Sequence, residues 1–200
     1  MLVIGVSGTK RSGKNTFADY IKQHLEDKGM SVKIGSWADL LKKSAYESLG
    51  VAKGASEEHK FYSEWANSFK EKFKLQIVNE QDIVLREISG REFLQQYGTE
   101  GHREIFGENF WVDQFWASND FSGVDVLIIS DCRYNNEAEN VLNRNGVIIK
   151  IDNPVTDNNS DSHASEQGIS EHLISYHIDN DSSLERFQEK AIKLIEEIYG

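Results

Sequence analysis

The sequence has only one cysteine and one proline among its 200 residues. A single cysteine, Cys132, excludes an intramolecular disulfide, and no Cys/His spacing is typical of a zinc site. No apolar run approaches the roughly 20 residues needed to span a bilayer, and the start MLVIGVSG is too short and uncharged for a signal peptide. We therefore expect a cytoplasmic protein whose core needs neither disulfides nor a structural metal.

Basic residues are also few. The chain has 22 Lys and Arg against 33 Asp and Glu, which gives a formal net charge of −11. This balance argues against the binding of a nucleic-acid polymer or a membrane surface, because both need a basic face. A small phosphorylated ligand is still compatible, provided that the few cations gather at one place.

The alternation of apolar and amphipathic segments predicts an α/β fold. Short apolar runs predict strands, and segments with apolar residues every three or four positions predict the helices between them. The predicted strands are 2–7, 31–36, 124–130, 147–152 and 174–179. Strands that alternate with helices indicate a parallel sheet with helices on both faces, in which ligands bind at the carboxyl ends of the strands.

We expect residues 1–200 to form a single domain. Residues 51–118 are charged and aromatic with helical spacing, so they predict a helical insertion that we interpret as a substrate-binding region. Residues 154–172 are polar and rich in turn-forming residues, which predicts a loop suited to act as a lid.

Residues 8–16, GTKRSGKNT, fit the phosphate-binding pattern G-x-x-x-x-G-K, with Asn15 where Ser or Thr is usual. Glycines at both ends let backbone N–H groups turn toward an anion, and the N-terminus of the following helix adds partial positive charge. Lys14 would supply a mobile charge for the β- and γ-phosphates. The alternative is a turn that merely needs glycines, and the three cations within residues 10–14 disfavour it.

A second candidate pair, Asp131 and Arg133, follows the strongest predicted strand. A carboxylate at a strand end can hold magnesium through water, and an arginine two residues beyond it can meet a phosphate. The alternative interpretation is a helix cap followed by a surface arginine.

A third candidate stretch is GREFLQQYGTE together with the aromatic residues that follow it. Arg91, Gly98 and Thr99 suit an anionic group, and Trp111 offers a flat face for a base. Trp111 also has an apolar neighbour one helical turn away, which favours a role in the core. Lys42, after the second predicted strand, is by itself more typical of a solvated lysine.

Together these motifs resemble one family. SGTKRSGKNT, ADLLKKSA, GREFLQQYGTE with FWV, SDCRYNNEA, and DSHASEQG followed by DNDSSLERF are similar, in this order, to segments of phage-type deoxynucleoside monophosphate kinases. The resemblance covers the first 50 residues and most of 90–190. It implies a P-loop kinase fold and transfer of the γ-phosphoryl group of ATP to a deoxynucleoside monophosphate (dNMP) with Mg²⁺, in the host cytoplasm for a phage-encoded enzyme.

The resemblance also implies roles for individual positions. The residues that it places around the ATP phosphates are Arg11, Ser12, Gly13, Lys14, Asn15 and Thr16. Those that it places around the dNMP are Lys10, Lys42, Arg91, Gly98, Thr99, Trp111, Arg133 and Glu137. The catalytic set is Lys14, Arg11 and Arg133 for charge neutralisation, with Asp131 close to both substrates.

Magnesium ligation is less direct than in relatives of this type, which often carry Asp at the position of Asn15. A neutral amide oxygen replaces a carboxylate there, so we expect Asn15 and Asp131 to reach the ion through water.

Other nucleotide-binding proteins share the loop and stay open as alternatives. A P-loop kinase for another phosphorylated metabolite, similar to the animal phosphomevalonate kinases, is one, and a nucleotide-binding switch is the other. A GTPase is disfavoured because the guanine-recognition pattern Asn-Lys-x-Asp is absent. The sequence leaves open which bases are accepted, whether ribose is tolerated, and whether the protein is a homodimer.

Overall fold

The computed structural model describes residues 1–49, 68–70, 72–154 and 168–199. The chain divides into two compact units. Unit 1 comprises Met1–Trp37 and Trp116–Gly200, and unit 2 comprises Ala38–Phe115. Unit 2 is therefore a continuous segment inserted into the chain of unit 1, and the single domain with a substrate-binding region stays a prediction. Most of the predicted lid loop, 155–167, lies outside the described residues.

Unit 1 is built on a parallel sheet of five strands. The strands of the chain are β1 (Leu2–Ser7), β2 (Val32–Gly35), β3 (Lys74–Val78), β4 (Val84–Ser89), β5 (Val126–Ile129), β6 (Val147–Asp152) and β7 (Tyr176–Asp179). The sheet has the order β2-β5-β1-β6-β7, and all of its neighbouring strands are parallel. Continuous apolar runs such as VLII in β5, where every residue is buried, fit a sheet that is covered on both faces.

Helices cover both faces of this sheet. Helix α1 (Lys14–Asp27) and the C-terminal helix α7 (Leu184–Tyr199) pack on one face against alternate residues of β1, β5 and β6. Helix α6 (Asn135–Leu142) covers the other face, because a Cβ built on Gly5 would meet the side chains of Val141 and Ile148. The predicted α/β fold, a parallel sheet with helices on both faces, is confirmed.

The connections from β1 and β5 leave in opposite directions. These strands are neighbours in the sheet, yet β1 leads to α1 on one face and β5 leads to α6 on the other. Ligands of open α/β sheets bind where neighbouring connections diverge in this way, outside the carboxyl ends of the strands. The loops 8–13 and 130–134 both begin at this point.

Two tryptophans mark the positions where the chain leaves unit 1 and returns to it. The rings of Trp37 and Trp116 pack edge to face, with their centroids 6.1 Å apart. Each tryptophan is also held by a hydrogen bond within unit 1. The backbone N–H of Trp37 donates to Asp131, and the indole Nε1 of Trp116 donates to Asn140. The two ends of the inserted segment are therefore fixed side by side by unit 1 itself.

Unit 2 contains the expected helices and one element that was not predicted. Its helices are α2 (Ala38–Ser48), α3 (Gly90–Gly98), a π-helical turn (Thr99–Arg103), α4 (Glu104–Phe106) and the start of α5 (Phe110–Ser118). The break between α4 and α5 falls at Gly107, which has a φ of 104°. The helical spacing read around Phe61 and Trp65 lies outside the described residues.

The prediction of a wholly helical 51–118 was wrong for residues 74–89, which form the antiparallel hairpin β3–β4. The side chain of Asn79 accepts hydrogen bonds from the N–H groups of Gln81 and Ile83, and this fixes a tight turn. Asp82 completes the turn with a φ of 58°. The flanking segments KLQIV and VLREIS contain β-branched residues that favour strands. Within the described part of the chain, no helix is long and apolar enough to cross a membrane.

Candidate active site

The loop between β1 and α1 has a backbone that only particular residues accept. Gly8, Arg11 and Gly13 all have positive φ values, 138°, 67° and 106°. A Cβ on Gly8 would lie 2.6 Å from both the carbonyl oxygen of Ile151 and the hydroxyl of Ser12. Glycine is therefore required at position 8 by conformation and by space.

Lys14 is the first residue of α1, and its side chain turns back over the loop. Its ammonium Nζ donates hydrogen bonds to the carbonyl oxygens of Gly8, at 2.7 Å, and Thr9, at 2.6 Å. These bonds keep a positive charge within the loop at the N-terminus of a helix, where an anion is stabilised. Lys10 and Arg11, at the tip of the same loop, are exposed to solvent.

Two further groups complete the loop. Asn180 Nδ2 donates to the carbonyl oxygen of Ser12 at 2.8 Å. A Cβ on Gly13 would lie 2.6 Å from that nitrogen, so the contact explains why residue 13 is glycine. The hydroxyl of Ser12 is fully buried and has no hydrogen-bond partner within the part of the chain that is described. A buried hydroxyl in this position fits a loop whose remaining partner is a ligand oxygen.

The turn after β5 ties the ends of three strands together. Asp131 Oδ1 accepts a hydrogen bond from the backbone N–H of Trp37 at 2.8 Å, and its Oδ2 accepts one from the hydroxyl of Ser36 at 2.6 Å. The backbone N–H of Cys132 donates to the carbonyl of Val6 at 3.0 Å. Asp131 thus lies at the carboxyl end of the sheet, as expected, and both its oxygens fix the chain that follows β2.

Cys132 takes no part in nucleophilic chemistry. Its side chain is 1% exposed and accepts a hydrogen bond from Trp37 Nε1 at 3.3 Å. Burial away from water, helped by the negative charge of Glu137, raises the pKa of the Cys132 thiol well above its usual value. The thiol therefore stays protonated and unreactive.

Glu137 supports the turn that carries Arg133. It is only 2% exposed, and its Oε2 accepts hydrogen bonds from the backbone N–H groups of Arg133, at 2.8 Å, and Tyr134, at 3.2 Å. Sequence reasoning placed Glu137 against the dNMP. In the structure its Oε2 is directed at the backbone of the turn that carries Arg133, and its contact with the dNMP stays a prediction.

The remaining predicted residues lie in unit 2. Arg91 follows Ser89, whose hydroxyl accepts from the backbone N–H of Glu92 and caps α3. Lys42 lies on α2, with its ammonium 3.8 Å from Asp39. Both predicted cations are partly exposed.

Gly98, Thr99 and Trp111 are neighbours at the end of α3. Trp111 is 4% exposed, and its Nε1 donates to the carbonyl of Gly98 at 3.0 Å. A Cβ on Gly98 would collide with the end of the Leu41 side chain, so a larger residue here would require Leu41 to move. Thr99 begins the π-helical turn and is partly exposed. Trp111 is thus buried within unit 2, as its helical spacing favoured, and its contact with the dNMP stays a prediction.

The donor set suits a magnesium ion that the protein holds mainly through water. The described ranges contain no group of three or more His, Cys, Asp or Glu residues able to hold a metal ion. Asn15 is exposed at the start of α1, and Asp131 accepts two hydrogen bonds from the protein.

Comparison with known proteins decides between the kinases and switches that share such a loop. Residues 28–191 match the sequence profile of the family described as deoxynucleotide monophosphate kinase. This chain belongs to the deoxynucleotide monophosphate kinase family. A protein of Acanthamoeba polyphaga mimivirus, named as a deoxynucleotide monophosphate kinase, is 30% identical over 205 residues. That alignment covers 98% of this kinase and 97% of the viral protein, and so includes most of the glycine loop as well.

Solved structures that resemble this kinase are more distant. A dephospho-CoA kinase from Campylobacter jejuni is 18% identical, with a TM-score of 0.40, and covers 98% of this chain and 96% of its own. A gluconokinase from Sinorhizobium meliloti is 12% identical, with a TM-score of 0.43, and the match covers 99% of this chain and 95% of the gluconokinase. Similarities at this level support no conclusion about activity.

Family membership confirms the resemblance read from the motifs. The protein is an ATP-dependent phosphotransferase that acts on deoxynucleoside monophosphates. The two alternatives, a kinase for another phosphorylated metabolite and a nucleotide-binding switch, are therefore not retained.

Replacing Glu137 with Ala should destabilise the protein. The change leaves the partly buried N–H groups of Arg133 and Tyr134 without their carboxylate partner, at a cost of about 1 kcal/mol or more. Urea denaturation should show a lower midpoint, with kcat reduced in parallel because the turn loosens. Glu139→Ala, at an exposed position of the same helix, is the matched control and should unfold like the wild type. Equal midpoints for all three proteins would show that Glu137 does not support the turn.

Proposed function

We propose that the loop 8–16 binds the triphosphate of ATP, and that Lys14 and the cations near it neutralise charge as the γ-phosphoryl group moves to the dNMP. The observation that supports this most strongly is the position of the Lys14 ammonium, held by the Gly8 and Thr9 carbonyls inside a loop of left-handed residues. Such a loop is organised for an anion before the anion arrives, which is the main source of electrostatic stabilisation in phosphoryl transfer.

ATP binding would use the ammonium of Lys14, which now bonds to neutral carbonyls, and the hydroxyl of Ser12, which has no hydrogen-bond partner within the described residues. In this proposal Lys14 exchanges its neutral carbonyl partners for the β- and γ-phosphate oxygens, a stronger charge-assisted pairing. The buried hydroxyl of Ser12 and the backbone N–H groups of residues 13–16 complete the cradle, with Arg11 and Thr16 near the phosphates.

The acceptor phosphate would meet cations from several segments. The residues proposed for this contact are the cations Lys10, Lys42, Arg91 and Arg133, together with the hydroxyl of Thr99. In the transfer step a phosphate oxygen of the dNMP forms a bond to the γ-phosphorus. The bond from that phosphorus to the β–γ bridging oxygen breaks, and ADP leaves with the electron pair. The attacking oxygen is already anionic near neutral pH, so the step needs alignment and charge neutralisation rather than a general base.

Asn15 and Asp131 are the residues that would hold magnesium, in both cases through water. When bound, the ion supplies positive charge to the β- and γ-phosphates. Asp131 would at the same time keep its hydrogen bonds to Ser36 and Trp37, so that it orients water without moving. We propose that the reaction takes place in the cytoplasm and requires neither a nucleic-acid polymer nor a membrane.

Lys14→Ala tests the loop. Release of ADP should be measured with each of the four natural dNMPs, and the variant should lower kcat by at least about a hundredfold, as expected for loss of a transition-state charge contact. Its thermal midpoint should stay near the wild-type value, because Lys14 is partly exposed and not part of the hydrophobic core. Lys22→Ala, on the exposed side of the same helix, is the control. Full activity, or unfolding, of Lys14→Ala would contradict the assignment.

Lysine substitution should separate the roles of Arg91 and Arg133. Lysine keeps the charge but loses the paired hydrogen bonds of a guanidinium, which are worth about 1.5–3 kcal/mol, or roughly tenfold or more. Arg91→Lys should raise KM for the dNMP with kcat and KM for ATP little changed, whereas Arg133→Lys should also lower kcat. Steady-state kinetics with each substrate varied measures this difference. Wild-type constants for both variants would place the acceptor phosphate elsewhere.

Magnesium should bind only together with nucleotide. Because the protein offers it one neutral amide and one carboxylate that is already hydrogen-bonded, calorimetric titration of the ATP-free protein should show no measurable affinity at millimolar Mg²⁺. The same titration with a non-hydrolysable ATP analogue should show binding that Asp131→Asn weakens. Tight binding to the nucleotide-free protein would mean that a direct protein site exists.

A further inference from the structure

The π-helical turn Thr99–Arg103 interrupts the helical run of unit 2. The backbone N–H of Glu104 bonds to the carbonyl of Thr99, five residues earlier, instead of four as in an α-helix. Such insertions are rare and occur frequently at functional sites, because they redirect one side chain out of the regular helical order. This turn contains His102, which has no role in the phosphate and magnesium contacts proposed for this kinase.

The ring of His102 is fixed by aromatic neighbours. Its centroid lies 4.5 Å from that of Tyr97, 4.8 Å from Trp111, 5.3 Å from Phe110 and 6.0 Å from Phe106. Two of these aromatic rings are held by hydrogen bonds of their own. The Tyr97 hydroxyl is hydrogen-bonded to the hydroxyl of Ser44 at 2.7 Å, and Trp111 Nε1 donates to the carbonyl of Gly98. The imidazole is therefore held in one orientation within unit 2.

This orientation sets which nitrogen carries the proton. His102 Nδ1 lies 2.6 Å from the carbonyl oxygen of Tyr97. A carbonyl oxygen can only accept, so Nδ1 carries the hydrogen and donates it. In the neutral ring, Nε2 then presents a lone pair. Within the described ranges Nε2 has no hydrogen-bond partner, and the side chain is partly exposed.

The surroundings of this lone pair match a heterocyclic base better than a phosphate. A lone pair repels an anionic oxygen but accepts from an N–H group. Phe106 is 63% exposed, and its ring and that of Phe110 lie 5.3 Å apart at 30°, which presents apolar faces beside the imidazole. An isolated acceptor next to exposed aromatic rings is the combination with which proteins bind bases, by edge hydrogen bonds and stacking.

We propose that His102 reads the base of the acceptor nucleotide: its Nε2 accepts a hydrogen bond from an N–H group of the base, and Phe106 and Phe110 pack against the ring. This inference rests on the proposed binding of the dNMP by residues of unit 2. It adds a specificity-determining residue, because a base that presents no N–H to Nε2 leaves a desolvated acceptor unpaired.

Methylated bases test the hydrogen bond directly. The probes are dTMP, dGMP, dAMP and dCMP, each compared with an analogue in which methyl groups replace all the N–H hydrogens of the base: N3-methyl-dTMP, N1,N2,N2-trimethyl-dGMP, N6,N6-dimethyl-dAMP and N4,N4-dimethyl-dCMP. For the natural nucleotides that the wild type uses, methylation should lower kcat/KM about tenfold, the effect of one lost hydrogen bond. His102→Phe should lower kcat/KM for those natural nucleotides by a similar factor, and methylation should then cost no more. KM for ATP should not change.

Two further variants separate base recognition from packing. His102→Gln keeps an acceptor oxygen and should recover part of the sensitivity to methylation, whereas His172→Phe changes an exposed histidine of unit 1 and should behave like the wild type. If His102→Phe lowered kcat/KM by the same factor for methylated and natural nucleotides, relative to the wild type, the proposal would be overturned. Such a result would mean that His102 contributes packing and no hydrogen bond. A wild type indifferent to methylation would overturn it whether or not the variants fold. Failure of the wild type to use any dNMP would instead contradict the proposed function itself.

Discussion

One short turn holds the carboxyl ends of three parallel strands at the same level. Asp131 fixes the chain after β2 through Ser36 and Trp37, and the N–H of Cys132 binds the end of β1. Parallel strands place their following loops at one edge of a sheet, but they do not by themselves fix the loops relative to each other. A carboxylate with both oxygens engaged supplies that fixation. The glycine loop and the arginine turn depend on it for their common position.

The common position of the two loops also determines where positive charge collects in unit 1. The chain carries an excess of negative charge, yet the loop 8–13 and the turn 130–134 begin beside each other and bring Lys10, Arg11, Lys14 and Arg133 to one edge of the sheet. The carbonyls of Gly8 and Thr9 partly compensate the Lys14 charge in the absence of phosphate, which lets like charges gather without unfolding the loop.

Features that depend on residues close together in the sequence could be predicted from the sequence. The strands of unit 1 have continuous apolar runs, and the loop needs glycines at positions 8 and 13, so both could be read directly. The hairpin at 74–89 was missed because aromatic spacing outweighed the turn chemistry of Asn79. Asn180 could not be identified because its partner, Ser12, is 168 residues away in the sequence. The burial of Glu137 likewise could not be predicted, because it depends on the packing of the turn and not on neighbouring residues in the sequence.

The paired tryptophans have an evolutionary consequence. Because Trp37 and Trp116 pack together and are tied to Asp131 and Asn140 within unit 1, the spacing that any inserted segment has to bridge is set by the sheet and not by the insert. A lineage can lengthen, shorten or replace residues 38–115 without disturbing the strands or the glycine loop. If unit 2 binds the acceptor nucleotide as proposed, exchange of this single continuous stretch is a route by which acceptor preference can change.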